Sequence, residues 1–361
     1  HKDYKYGSRD YIIFNEIDTD SININVWMDW IASDDPRTMY QIPSSGQVVN
    51  TFPTKTFRLP VDKQAVLKSG VVALKDQAKI VPYIDVTIKD EVIYKNRLLM
   101  LDIIANNNWQ RPIYFSGGSF GDDDYLWMKD YLQMDGVVYK LVPIKTPVDK
   151  DNPFDMGRVD ADKSYEIVKN WDWGNSGDPA VYHDIETRRN GLTYRSNLAR
   201  IAEALLKENK LDKAREILDL AMEKMPVDTF AFYSLLEPYM QMYYRVNQPE
   251  KARDIYAQLA VVYQEKLLYF SSFKTNEQID MRREIYTDME RYRAVVTVLL
   301  AEDTKQYALA EAMKFNEYIK LFPYLYNPDE GIELEGQSAS NSDTEIPEEA
   351  SLQELLQSQV N

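Results

Sequence analysis

RSNLARIAEALLKENKLDKAREILDLAMEKMPVD, residues 195–228, is the stretch that decides the fold of the second half of this chain. Leu198, Ala202 and Leu205 recur at the spacing of one helical face, and Ala214, Leu218 and Ala221 repeat that spacing after Asn209. Apolar residues three and four apart mark amphipathic helices. Two such runs separated by an Asn-containing turn predict a helical hairpin. The alanines matter because two helices approach closely only where side chains are small. Pro226 ends the second helix.

Tyr233 to Lys266 repeats the plan with Leu236, Met240, Tyr243, Asn247, Ala252, Tyr256 and Leu259. Ala214 and Ala252 are 38 residues apart, so about four residues are inserted relative to the 34-residue helix–turn–helix unit of tetratricopeptide repeats. A third, less regular pair is expected over Ile279–Ala301 and Thr304–Phe322, with Pro323 as its stop. Residues 189–325 therefore read as an all-α, tetratricopeptide-like domain.

The first 188 residues have a different texture and hold all six tryptophans. Tyr11–Phe14, Thr56–Leu59 and Ile80–Ile88 read as strands, and residues 23–33 as a helix buried through Val26, Trp27 and Trp30. Arg97–Asn106 reads as a helix apolar on nearly every side, and such a helix is expected to be covered all round. A strand at Arg111–Phe115, a helix at Asp124–Gln133 and a strand at Val137–Pro143 suggest a parallel βαβ unit. The expected class is an α/β domain with a mixed sheet over 1–188, whose last part, 146–190, is a long wrapping connection.

Composition excludes several chemistries. The chain has 58 acidic against 42 basic residues, a net charge of −16. Nucleic acid and anionic membrane surfaces both require a basic patch, so neither is expected as the main partner. Nine of the carboxylates fall in Asp329–Asn361, which has no Lys or Arg. Residues 326–361 read as an acidic, disordered tail, with a possible short helix at Ser351–Gln359. Cysteine is absent, which excludes thiolate nucleophiles and Cys-based zinc sites. With His1 and His183 as the only histidines, a His triad or multi-His metal site is also excluded, and no cofactor is expected. The longest near-apolar run, Ala294–Ala301, is far short of the roughly 20 residues of a membrane span. The opening His1 reads as the start of a piece of a longer protein.

Four features could carry function. The loop Gly117–Asp124 has glycines before a helix, as phosphate sites do, but three aspartates would repel a phosphate; an exposed turn with an Asp cap accounts for it. Asp102, the one charge in its apolar helix, could be catalytic only beside a second acid, and a pairing with Arg97 or Arg111, or exposure, accounts for it. Trp171 and Trp173 could stack on sugar faces or pack as clamps on a domain surface. The groove-facing positions of the repeats are Ala199, Glu203 and Leu206, then Glu237, Gln241 and Tyr244. Helical-repeat grooves receive a peptide or a neighbouring protein segment, although a short array can instead serve packing.

One block looks like a family signature: YKNRLLMLDIIANNNWQRPIYFSGG from Tyr94, followed after an acidic loop by DYLQMDGVVYKLVPIKT to Thr146. Ala32–Arg37, Phe52–Lys55, Phe57–Asp62, Lys79–Asp85 and Asn170–Asn175 extend the likeness. These resemble the C-terminal soluble region of large Bacteroidetes membrane proteins of unknown function. The membrane part of those proteins resembles polyprenol-sugar-dependent glycosyltransferases of the protein O-mannosyltransferase class. The resemblance implies a module on the periplasmic side of the membrane, whose partners are the membrane domain of its own parent chain and an acceptor protein or glycan. That class's catalytic acids belong to the membrane domain, and no residue here corresponds to them. Two functions follow as expectations: a non-catalytic accessory module that binds protein or acceptor, or an α/β domain that is itself a carbohydrate-active hydrolase or transferase.

Overall fold

The computed structural model describes residues 11–17, 19–116, 123–147, 156–231, 233–327 and 331–332. The chain divides into two compact units, residues 1–160 and 161–361.

The first unit is built from small sheets. Its elements begin with β1 (Tyr11–Ile13), β2 (Ile22–Asn23), α1 (Ile24–Ala32), β3 (Met39–Gln41), β4 (Val48–Asn50), β5 (Thr56–Pro60) and α2 (Lys63–Lys68). They continue with β6 (Tyr83–Thr87), β7 (Val92–Tyr94), α3 (Lys95–Asn107), β8 (Tyr114–Ser116), β9 (Leu132–Asp135), β10 (Val138–Leu141) and β11 (Arg158–Val159). β2 and β5 pair in parallel, with α1 and the β3–β4 hairpin in the connection, and β6 adds antiparallel to β5. The expected helix and strands at 23–33, 56–59 and 80–88 are thus present as α1, β5 and β6, although α1 is buried through Ile24 and Trp27 and leaves Val26 exposed. Trp27 anchors this layer: it is fully buried, stacks on Phe52 at 3.6 Å between ring centres, and donates from Nε1 to the Thr54 carbonyl at 2.9 Å. A buried indole needs such an acceptor for its one N–H.

A mixed sheet with a parallel crossover is therefore present, but not where the sequence placed it. Residues 111–143 form antiparallel pairs: β10 lies between β9 and β8 and runs against both. The expected helix Asp124–Gln133 is a 3-10 run ending at Tyr131, after which the chain is already in β9. Only Gly136, with φ +72°, and Val137 separate β9 from β10. Two residues close a hairpin; a parallel return needs a dozen or more. The Asp-Gly pair before a β-branched run was the hairpin signal. β11 completes this sheet, parallel to β9.

α3 also departs from expectation. It buries Leu101, Ile104 and Ala105, while Leu99 is 62% and Ile103 55% exposed. One stripe packs, and the opposite apolar face is open.

The second unit is helical: α4 (Ala161–Lys169), α5 (Ile185–Lys207), α6 (Leu211–Lys224), α7 (Val227–Phe230), α8 (Glu237–Arg245), α9 (Pro249–Ser271), α10 (Thr275–Asp280), α11 (Arg282–Glu302) and α12 (Lys305–Ile319). α4 lies inside the stretch 146–190 read as a long wrapping connection. α5–α6, α8–α9 and α11–α12 form three hairpins, and their first helices α5, α8 and α11 stand side by side. Asn209 and Asn247 take φ near +57°. Beyond each, the next N–H reaches back five residues, Lys210 to Leu205 and Gln248 to Tyr243, both at 2.9 Å. That 6→1 bond ends a helix on a left-handed residue, which Asn tolerates better than most. Ala202, Ala214, Ala221 and Ala252 are fully buried between helices, as the spacing predicts.

Candidate functional site

The candidate site is the side of α5, α8 and α11 turned away from their hairpin partners. α8 shows its construction. Tyr239, Met240, Met242 and Tyr243 are buried against the neighbouring helices, leaving Pro238, Gln241 and Arg245 exposed. These three share one stripe of the helix, since residues three, four and seven apart do.

The predicted binding residues divide between this stripe and the seams beside it. Gln241 lies on the stripe. Glu203 is exposed on α5 and pairs with Lys207, one turn on, at 2.8 Å. Tyr244 is half-buried and turned to the next hairpin, where its hydroxyl donates to Asp303. Arg253 also holds Asp303, through Nε at 2.8 Å and through Nη2. That guanidinium first, and the Tyr244 hydroxyl with it, keep the Asp303 carboxyl well below the usual carboxylate range. Tyr244 is raised, by burial and then by the bond to Asp303. It serves as a link between α8, α9 and the end of α11.

Glu237 is half-buried, and burial alone raises its pKa. Across the seam, Tyr263 of α9 lies within the electrostatic reach of Arg291, Asp288, Glu237 and Tyr233. Asp288 is paired with Lys266 at 3.1 Å. Arg291 has no such partner: its Nε and Nη2 are buried with nothing to donate to. Sequence reading did not single out Arg291, because a lone Arg on an amphipathic helix carries no signal until its neighbours are placed.

Trp171 and Trp173 lie on neither the stripe nor a bare surface. Their rings meet edge to face at 5.5 Å, and both pack on Tyr194 of α5 at 5.7 Å. Both are half-buried, and Trp173 Nε1 is buried without an acceptor. The three rings turn their faces and edges on one another, whereas sugar stacking needs an open face.

In the first unit, Asp102 is exposed and accepts from Asn106 of its own helix at 3.0 Å, so it is not the buried acid that catalysis would require. Gly117–Asp122, most of the glycine-acid loop, lies outside the described residues, as do residues 333–361. A small recess is lined by Leu59, Val71, Ile104, Trp109, Arg111 and Ile113 among others. Asn108 and Trp109 beside it are both left-handed, and Trp109 Nε1 donates to the Pro60 carbonyl at 2.7 Å. Sequence analysis did not single out the buried carboxylates of this unit, Asp76, Asp135 and Asp160; Asp135, 6% exposed, is held by Lys140 at 3.2 Å and by Gln133 at 2.8 Å. Among the described residues, no group of three His, Cys, Asp or Glu side chains could hold a metal ion. No helix among them is long and apolar enough to cross a membrane.

No curated protein and no solved structure matches this chain. A family model does: residues 1–163 match TMEM260-associated domain 2. The first unit, with the opening of α4, is thus similar to a domain associated with TMEM260-type membrane proteins.

Proposed function

We propose that this chain is the extracytoplasmic accessory module of a membrane protein, in which the helical unit holds a protein segment against α5, α8 and α11. The observation that carries the reading is the exposed stripe Pro238–Gln241–Arg245 on α8, which packs against the first helices α5 and α11. Stacked helical hairpins form an extended concave surface of this kind, suited to a chain laid along it. The match of residues 1–163 to a membrane-protein-associated domain supplies the context. The sugar chemistry of the parent, its periplasmic orientation and an acceptor protein as ligand belong to the same proposal, and rest on the family likeness of the motif block.

The test is a peptide array probed with the full chain and with a Gln241→Glu, Arg245→Glu double variant. Short extended peptides should bind with a Kd on the order of micromolar, weakened about tenfold or more in the variant. Equal binding by both proteins would place the binding surface elsewhere. A glycan array run beside it decides whether Trp171 and Trp173 contribute: sugar retention that survives Trp173→Ala removes them.

A further inference from the structure

We propose that the groove accepts a carboxylate-rich extended segment, and that its occupant is this chain's own residues 333–361. The proposal rests on the groove reading above and names its ligand.

Charge distribution is the first argument. In the helical unit most basic side chains already have acids: Lys210 and Lys213 hold Asp162, Lys251 holds Asp219, Arg253 holds Asp303, and Lys314 holds Glu311. Arg245, Arg283 and Arg291 are different, as are Arg188, Arg195, Arg282 and Lys274 elsewhere in the unit. None carries an ion pair among the described residues, although the chain as a whole is at −16. Arg245 ends the exposed stripe of α8, Arg283 is exposed in the first turn of α11, and Arg291 follows two turns later, within electrostatic reach of Tyr263 of α9. Unmatched guanidinium groups on the α8–α11 side of an acidic protein favour an anionic occupant. A planar fork of donors suits carboxylates in particular.

Arg291 sharpens the case. A buried donor edge without an acceptor destabilises, and more so for a charged group. A carboxylate satisfies this edge only where the seam opens to admit it, because both nitrogens lie out of solvent. Glu237 does not fill the role: no hydrogen bond or ion pair joins it to Arg291.

The occupant is argued from where the chain leads. Residues 333–361 hold seven carboxylates and no base. Their starting point is anchored: Asn316 of α12 donates from Nδ2 to the Ile332 carbonyl at 3.0 Å and accepts from the Ile332 N–H at 2.8 Å. A Cβ on Gly331 would stand 2.7 Å from Asn316 Oδ1, so a larger residue here displaces the Asn316 amide. The acidic segment therefore leaves from α12, the hairpin partner of α11. Its 29 residues reach roughly 95 Å when extended, against roughly 10 Å between adjacent helices. Tethering makes the encounter intramolecular, at an effective concentration on the order of millimolar.

The experiment compares the natural full chain with a full chain whose seven acids in 333–361 are changed to amides. A fluorescent peptide of residues 329–361 is titrated into each, and anisotropy is read. The amide chain should bind the peptide at least tenfold more tightly, because its groove is vacant. Arg245→Glu in the amide chain should weaken binding at least fivefold, and 0.5 M NaCl should abolish most of it. Arg245 is exposed, so this variant does not threaten folding. Equal peptide affinity for the two chains overturns the proposal, as does indifference to Arg245→Glu. If the acidic peptide fails while neutral peptides still bind the stripe, the groove reading stands and only this occupant is lost.

Discussion

Arg195 shows how this protein handles a charge it cannot solvate. The side chain is buried, and its Nη1 and Nη2 donate to the carbonyls of Ala231, Met225 and Pro226, with the Tyr239 hydroxyl closing over its own carbonyl at 2.7 Å. Burial lowers its pKa to about 10, still well above neutrality. Carbonyls at the end of α6 and in the turn after α7 thus replace a carboxylate partner, as helix C-termini favour cations. Arg195→Ala leaves those carbonyls buried and unpaired, and should cost about 3 kcal/mol in urea unfolding. Glu237 is the opposite case. Its folded-state pKa is raised by burial, so its ionised form weakens the fold. That group's contribution is most favourable below the unfolded value, and is lost as pH rises through the folded one. Glu237→Gln should therefore raise the melting midpoint by about 2–4 °C at pH 7, and by nearly nothing at pH 4. An equal gain at both pH values would remove desolvation as the cause.

Among elements, β11 depends on a single glycine. Gly157 has φ +66°, and a Cβ there would stand 2.0 Å from the Leu132 carbonyl oxygen. No side chain can be accommodated without moving β11 off β9. Gly157→Ala should cost about 2–4 kcal/mol and speed amide exchange at Met134 and Val159; unchanged exchange at both would show that β11 tolerates the shift. The hairpin β9–β10 was legible from its Asp-Gly pair, but the expected helix Asp124–Gln133 was carried across the start of β9. Local propensity does not reveal that Leu132, Gln133, Met134 and Asp135 are all buried, because that depends on what covers both faces of a strand. The repeats were far more legible. Their small residues, asparagine turns and proline report on contacts between adjacent helices, which lie close in sequence. The α4 helix was hidden by the Pro-, Asp- and Gly-rich residues around it.

Over the whole molecule, the site was legible as a surface but not as a set of partners. The repeat pattern put Gln241 on the open stripe. It also put Tyr244 and Glu237 there; Tyr244 instead turns to Asp303 at the end of α11, and Glu237 is half-buried within electrostatic reach of Tyr263 of α9. That distinction needs the third hairpin, whose irregular spacing hides its register, and with it Asp303 and Arg291. The charge of the chain makes functional sense in the same frame, with acids concentrated in residues 329–361 and unpaired arginines on the groove side. In the proposed function, α5, α8 and α11 receive a protein segment. Hydrogen exchange on the full chain, with and without a saturating peptide from the array, tests it most directly. The prediction is added protection of α8 and of the facing turns of α5 and α11, with none at the exposed face of α9 around Val261, Leu268 and Tyr269. Protection confined to α9 or to the first unit would contradict it.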